Sequence, residues 1–160
     1  MIRLSKLTDY GLVLMSYIAR SADRQLHTAQ ELARESRLPL PTVSKILKGL
    51  LQSGLLVSYR GIKGGYALTR DTRDISVAEI ISALEGPIAM TECSTHDSEL
   101  CEIERCCPIK ENQRVISEAV RGALDRLSLF DLSHPLRLTM IRDQRGRMIP
   151  SIGFATRTIQ

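Results

Sequence analysis

The feature that most restricts the fold is a glycine-rich turn, Gly61-Ile62-Lys63-Gly64-Gly65, between two short strand-like segments. Residues 55–60 and 66–70 each have the length of a β-strand, and the glycines permit the positive φ angles of a tight hairpin. Two short strands cannot bury a hydrophobic core by themselves, so the hairpin must pack on the helices that precede it. The order of the elements therefore predicts a mainly α-helical domain that carries one β-hairpin.

Two helices are predicted within the first 36 residues. Thr8 or Asp9 can cap a first helix that runs to about residue 20, because their side-chain oxygens accept hydrogen bonds from exposed amide groups. Thr28-Ala29-Gln30-Glu31 has the residues of a capping box and predicts a second helix over 28–36.

A third helix is predicted after a tight connection, residues 37–40. Pro41 suits its first turn, where a missing N–H costs nothing, and Gly54 ends it. Its buried stripe is expected to consist of Val43, Ile46, Leu47, Leu50 and Leu51. A helix, a short turn, a helix and a glycine-rich hairpin form the pattern of a winged helix-turn-helix, which is a DNA-binding fold.

The outer face of the third helix and the tip of the hairpin carry the groups that this fold uses on DNA. Residues near a helix N-terminus reach base edges in the major groove, and lysines contact phosphates. An arginine at the hairpin tip can enter the minor groove, and glycine amides allow phosphate to approach closely. The predicted DNA-binding residues are Thr28, Pro41, Thr42, Ser44, Lys45, Lys48, Arg60, Lys63 and Gly64.

The net charge of +4 conceals an uneven distribution along the chain. Residues 1–70 contain eleven Lys and Arg against four Asp and Glu, residues 71–131 contain six against thirteen, and residues 132–160 contain five against one. A basic lobe beside an acidic one indicates a polyanionic partner for the first and another task for the second. A dipolar surface that serves only solubility is the simpler alternative, but the pattern of the basic half favours DNA.

The rest of the chain divides into three further parts after a winged helix-turn-helix domain, 1–90. Ser76-Val77-Ala78-Glu79 forms a second capping box, whose helix Gly86 and Pro87 stop. Residues 91–107 form a cysteine-rich loop, and Pro108 opens a long helix, 108–131, with the stripe Ile109, Ile116, Val120, Ala123, Leu127 and Phe130. Residues 132–160 are predicted to be a basic tail without regular structure beyond a turn at 143–147.

The N-terminal apolar run, residues 10–19, is too short to span a bilayer, and the charged residue Asp9 lies directly before it. We therefore expect a cytoplasmic protein that does not contact membranes. Cysteines in that compartment serve as thiols or metal ligands more often than as structural disulfides.

All four cysteines, Cys93, Cys101, Cys106 and Cys107, lie within 15 residues. The paired CxxC elements of zinc sites are absent. Pro108 places the last two at a predicted helix N-terminus, which stabilises thiolate, and a bound cation would offset the acidic residues nearby. Their spacing alone leaves an iron–sulfur cluster, zinc and a thiol switch as alternatives.

The chain resembles the IscR/NsrR-type regulators, a family of iron–sulfur-sensing winged-helix transcription factors. Over residues 1–131 the resemblance is carried by Leu4-Ser5-Lys6-Leu7-Thr8-Asp9-Tyr10, by the wing Arg60-Gly61-Ile62-Lys63-Gly64-Gly65-Tyr66-Ala67-Leu68 and by a cysteine loop before a long helix. The doublet Cys106-Cys107-Pro108 makes it most similar to regulators of SUF-type cluster assembly.

The resemblance implies a homodimer built on the helix 108–131 and a cluster held by three cysteines. By their match to the family pattern these are Cys93, Cys101 and Cys107, with Cys106 as the competing assignment. The fourth ligand varies in the family. Where some members carry a histidine this chain has Lys110, so the candidates are Asp9 from the partner subunit, Cys106 and, more distantly, His96. We expect a [2Fe-2S] rather than a [4Fe-4S] cluster, with zinc or no cofactor as the alternatives.

The sequence thus predicts a repressor, not an enzyme, that binds a pseudo-palindromic operator of iron–sulfur assembly genes under the control of a cluster. A nitric-oxide or redox sensor of the same fold, and a thiol-switch regulator that acts through a protein partner, are the alternatives. No CxxC motif, Cys–His pairing or phosphate-binding loop supports an enzyme.

Overall fold

The computed structural model describes residues 3–21, 26–61, 63–91 and 106–153. Within these ranges none of the helices combines the length and the apolar character that crossing a membrane requires. The elements are α1 (Lys6–Arg20), α2 (Ala29–Ser36), α3 (Leu40–Gln52), β1 (Leu56–Tyr59), β2 (Gly65–Leu68), α4 (Val77–Glu85), α5 (Lys110–Asp125), α6 (Leu129–Ser133), β3 (Arg137–Arg142) and β4 (Met148–Gly153).

Helices α1 to α4 and the wing hairpin β1–β2 share one apolar core. The predicted stripe of α3 is confirmed, since four of its side chains are fully buried and the fifth, Leu51, is half-buried. Their helical spacing places them on one face, which packs against α1, α2 and α4. The fully buried apolar side chains of this core include Leu14, Leu32, Val43, Ile46, Leu47, Leu50, Ile75 and Ile80.

The cap of α1 differs from the prediction. Ser5 has extended backbone angles and its Oγ accepts from the amide of Thr8 at 3.2 Å, so the helix begins at Lys6. Thr8 and Asp9 lie inside the first turn, where Thr8 is fully buried. Both predicted capping boxes are present, one at the start of α2 and the other at the start of α4.

The predicted continuous helix over 108–131 is two helices, α5 and α6. The break has a tertiary cause, because the chain between them pairs with the segment before α4. The amide of Val77 donates to the carbonyl of Leu127, and the amide of Leu129 donates to that of Ile75, both at 2.8 Å. Ser128 and Asp131 then form a capping box that starts α6.

The expectation of a tail without regular structure is wrong for 137–153, which form an antiparallel hairpin of β3 and β4. The predicted turn at 143–147 is present and joins the strands. The Oδ1 atom of Asp143 accepts from the amides of Arg145 and Arg147, both at 2.8 Å. The residues of the turn predict it from the sequence, whereas the two strands that flank it were not predicted.

Candidate nucleic-acid interface and thiol site

Helix α3 has two faces of opposite character. Ser44, Lys45 and Lys48 are exposed on the face that turns away from the core. At the start of the helix, Pro41 is exposed and Thr42 is half-buried. The predicted contact residues of α3 therefore lie on its solvent side or at its exposed N-terminal end.

The N-terminus of α3 has no side-chain cap, because its N-cap residue is Pro39. The first amides of a helix have no partner within the helix, and an anion can take the place of a cap. This end of the helix can therefore receive a phosphate group.

The wing presents its cations at the hairpin tip. Arg60 and Lys63 are exposed, and the amide of Gly64 donates to the carbonyl of Gly61 at 2.9 Å to close the turn. Tyr59, the last residue of β1, is 56% exposed and adds an aromatic ring to this surface. Tyr59 is not among the residues predicted to bind DNA, although its position beside Arg60 indicates it.

His27 connects the wing to the start of α2, and it is not among the residues predicted from the sequence to form the site. His27 and Tyr66 exchange backbone hydrogen bonds of 3.0 and 2.8 Å. A Cβ at Gly65 would lie 2.9 Å from the carbonyl oxygen of His27, so this close approach requires glycine. The pairing brings the capping residue Thr28 next to the wing.

We expect Gly64→Ala to weaken binding to duplex DNA about tenfold, the effect of losing one good contact. The added Cβ would overlap the carbonyl oxygen of Tyr59 and lie 2.9 Å from that of Gly61, so the backbone of the wing tip must move. Fluorescence anisotropy measures the affinity, and thermal unfolding checks the fold. Ser58→Ala, on the exposed side of the same hairpin, is the control. An unchanged affinity for Gly64→Ala would exclude the wing tip from the interface.

The wing leads into α4 through a segment that holds the end of α5. Arg70, just after β2, pairs with Glu79 of α4 at 2.7 Å. Burial raises the pKa of Glu79, but hydrogen bonds from Ser76 and the charge of Arg70 together lower it below its ordinary value. With the 2.8 Å bonds between Val77 and Leu127 and between Leu129 and Ile75, this forms a continuous link from the wing to α5.

Only part of the predicted thiol site is described. Cys93, Cys101 and His96 lie outside the described residues, and within those residues no three His, Cys, Asp or Glu side chains come together. Cys106 is exposed and Cys107 is half-buried. The predicted placement of this pair at a helix N-terminus needs correction, since α5 begins at Lys110, three residues after Cys107.

Both ends of the cysteine loop nevertheless lie close to α5. On the entry side, the amide of Met90 donates to the hydroxyl of Ser117 at 3.0 Å, and Ser117 is the buried polar residue of α5. On the exit side, the amide of Lys110 donates to the carbonyl of Cys107 at 3.5 Å. A ligand held by this loop would thus act directly on α5.

Asp9 is exposed in the first turn of α1. The capping role that competed with its role as a ligand belongs to Ser5. Within the described ranges, its carboxylate has neither a hydrogen-bond nor an ion-pair partner.

Helix α5 leaves an apolar stripe exposed in the single chain. Val115 is 60% exposed and Ile116 47% exposed, with Ala119 and Ala123 on the same face. The opposite face, around Ser117, packs against α4. The predicted stripe contained Ile116 and Ala123 but missed Val115, which is more exposed than Ile116.

The sequence profile described as "Rrf2: Iron-dependent Transcriptional regulator" matches residues 4–135. The chain is similar to the rrf2-like HTH-type transcriptional regulator of Rhodobacter capsulatus, with 30% identity over 118 residues that cover 71% of this chain and 79% of the relative.

Two solved structures share the fold. CymR (YrzC), the global cysteine regulator of B. subtilis, superposes with a TM-score of 0.65 at 29% identity, covering 83% of this chain and 97% of that one. T. potens IscR superposes with a TM-score of 0.62 at 25% identity, covering 82% of this chain and 85% of that one. The predicted mainly helical, winged-helix fold class is confirmed.

Proposed function

Because the chain belongs to the Rrf2 family of iron-dependent transcriptional regulators, we propose that it is a homodimeric repressor of iron–sulfur assembly genes, controlled by an iron–sulfur cluster in the cytoplasm. Family membership confirms the resemblance to IscR/NsrR-type regulators and makes the chain a transcriptional regulator, not an enzyme. We propose three further properties, which are the dimer, the cluster and the target genes.

The observation that carries the proposal is the two-sided character of α3. One face of this helix is buried in the core, while Ser44, Lys45 and Lys48 remain in water. A cationic helix face beside a wing with Arg60 and Lys63 fits the major groove with its flanking phosphates. The half-buried Thr28, held by the wing through His27, adds a hydroxyl to the same surface.

Titration of duplex DNA over a range of salt concentrations tests this function. A pool of genomic fragments enriched by the protein supplies the bound sequence, in which twofold symmetry is expected from a twofold dimer. The logarithm of the binding constant should fall linearly with the logarithm of salt, with a slope of about −0.9 per phosphate neutralised. Association that does not respond to salt, or no association, would overturn the proposal.

The proposed dimer is supported by the exposed stripe of α5. Large exposed apolar side chains cluster there, although one face of the same helix already packs on its own subunit. Contiguous apolar surface of this kind marks an interface. Its flank carries charges that pair along the helix, such as Arg114 with Glu111 at 3.2 Å, and these can remain in solvent beside the seam.

We expect Val115→Glu to raise the dimer dissociation constant about 30-fold or more, as for the loss of about 2 kcal/mol at a buried apolar contact. The carboxylate would be buried against its copy without a partner. Sedimentation velocity measures the change, and Glu118→Gln on the charged flank of α5 is the matched control. If both variants sediment like the wild type, the stripe is not the dimer interface.

The proposed cluster ligands are Cys93, Cys101 and Cys107, with Asp9 of the partner subunit or Cys106 as the fourth. The described donors fit such a group, because Cys107 is half-buried beside α5 and the carboxylate of Asp9 is available. The occupancy of such a cluster would depend on the supply of iron and on oxidants, so the cluster would supply the signal. The chain's own part is to hold both ends of the loop near α5 through Ser117 and Lys110.

The link from α5 to the wing explains how the loop can affect DNA binding. A displacement of α5 is passed to the segment before α4 through the bonds at Leu127 and Leu129, and from there to the wing through Arg70 and Glu79. In a dimer, the same displacement changes the distance between the two α3 helices.

A further inference from the structure

The hairpin of β3 and β4 exposes large apolar side chains, and most of them lie on one face. The strand register places Leu138 opposite Ile152 and Arg142 opposite Met148, so the even-numbered residues of both strands share a face. On that face Leu138 is 72% exposed, Met140 54% and Met148 52%. The hairpin lies beyond residue 135, where the family match ends. An isolated two-stranded hairpin is marginally stable in water, and further strands stabilise it.

The two outer edges of the hairpin differ in their capacity to bind another strand. The amide of Asp143 donates to the carbonyl of Arg147 at 2.8 Å, which fixes the phase of the ladder. Counting from that pair, Leu138, Met140 and Arg142 direct their N–H and C=O groups to the outer edge of β3. Pro150 is opposite Met140 and has the same phase, so the outer edge of β4 lacks a donor at its centre. Only β3 offers a complete edge.

The size of the α5 face indicates that the dimer needs more surface. A helix of 16 residues is about 24 Å long and about 10 Å across, which gives a footprint on the order of 240 Å². A stable dimer buries about 800 Å² on each subunit. Pairing of the hairpin edges would add backbone hydrogen bonds and contacts between neighbouring strands to this footprint.

We propose that β3 pairs antiparallel with β3 of a second copy about a twofold axis at Met140, to give a four-stranded sheet in the order β4–β3–β3–β4. This inference rests on the proposed homodimer and adds a second contact to it. The outward groups of the two strands meet in this register. Leu138 then lies opposite Arg142 of the copy, and no arginine position of one β3 strand lies opposite an arginine position of the other.

Oxidative cross-linking tests the register. Residues on the axis of a hydrogen-bonded antiparallel pair have Cα atoms about 5.5 Å apart, within the range of a disulfide. Met140→Cys in the full-length dimer should therefore cross-link to its copy. Trypsin cleaves after Arg137 and Arg142, so the linked peptide of residues 138–142 contains no native cysteine and identifies the bond by mass.

Leu138→Cys is the matched control, since this site is more exposed than Met140 and lies on the same face. In the proposed register its Cα is roughly 14 Å from that of its copy, from four residues at 3.4 Å each, and no disulfide forms. Equal or stronger cross-linking at position 138 would show random collision and overturn the register. A dimer in sedimentation without cross-linking at position 140 overturns the β3 pairing and leaves the α5 dimer intact, whereas a monomer overturns both.

A second variant separates pairing from folding. Met140→Lys places two ammonium groups opposite each other on the axis, and we expect the dimer to dissociate about tenfold more readily while circular dichroism stays unchanged. Thr139→Lys, on the opposite face of β3, is its control. Equal dissociation of the two variants would contradict the proposal.

Discussion

Cys107→Ala should abolish the visible absorption of the anaerobically purified protein, whereas Cys106→Ala should leave most of it. Thiolate sulfur is the ligand that an iron–sulfur cluster requires, and each missing thiolate removes a bond to iron. Neighbouring residues point in different directions, so only one member of the doublet is expected to serve as a principal ligand. Cys107 has the spacing from Cys101 that the family pattern implies and is the less exposed of the two.

Iron and sulfide counts on the same samples give the second readout. Each variant removes one sulfur atom, and the two positions are adjacent in the chain, so each variant is the control for the other. Retention of colour in Cys107→Ala and its loss in Cys106→Ala would assign the ligand to Cys106. A wild-type protein that remains colourless after anaerobic reconstitution would refute the cluster. Bound zinc would then favour a zinc site, and oxidant-sensitive DNA binding without metal would favour a thiol switch.

The second large effect is expected from reversing the charge of the recognition surface. Lys45→Glu with Lys48→Glu should lower the affinity for duplex DNA about 100-fold near 0.1 M salt and reduce the salt slope by about 2. Both lysines are exposed on α3, so the core is untouched. Anisotropy titrations at several salt concentrations measure the affinity and the slope together.

The control for this experiment is Arg114→Glu with Arg121→Glu on the charged flank of α5, which changes the net charge by the same amount. A reduction that depends only on total charge would be equal in the two double variants. If the α3 variant keeps its affinity and its salt slope, α3 does not contact phosphate, and the winged helix binds DNA through another face.

Local chemistry in the sequence predicts much of this fold. The capping boxes at Thr28 and Ser76, the proline of α3 and the glycines of the wing each specify a backbone conformation through a single residue type. The end of α5 could not be predicted in this way. Its residues continue a helical pattern, and the break comes from hydrogen bonds to residues 75 and 77, about 50 positions away in the chain.

In the candidate site, too, local sequence predicts some features, and contacts between distant segments determine the others. Exposure of Ser44, Lys45 and Lys48 follows from the helical period alone, and the structure confirms it. The tie between His27 and Tyr66 depends on two segments meeting, which no local pattern encodes. The helical pattern of α5 predicts an apolar stripe but not which of its residues stay exposed, because a sequence does not distinguish a surface covered by its own chain from one left for a partner.

The backbone pairing of His27 with Tyr66 has a mechanical consequence. It joins the start of α2 to the wing, and α3 packs on α2, so the elements that carry the predicted DNA-binding residues form one connected block. The wing of such a block cannot adjust its contact with DNA by moving independently of α2 and α3. In the proposed dimer, the distance and the rotation between the two blocks would decide which sequences fit, because major grooves on one side of B-DNA recur only about every 34–36 Å.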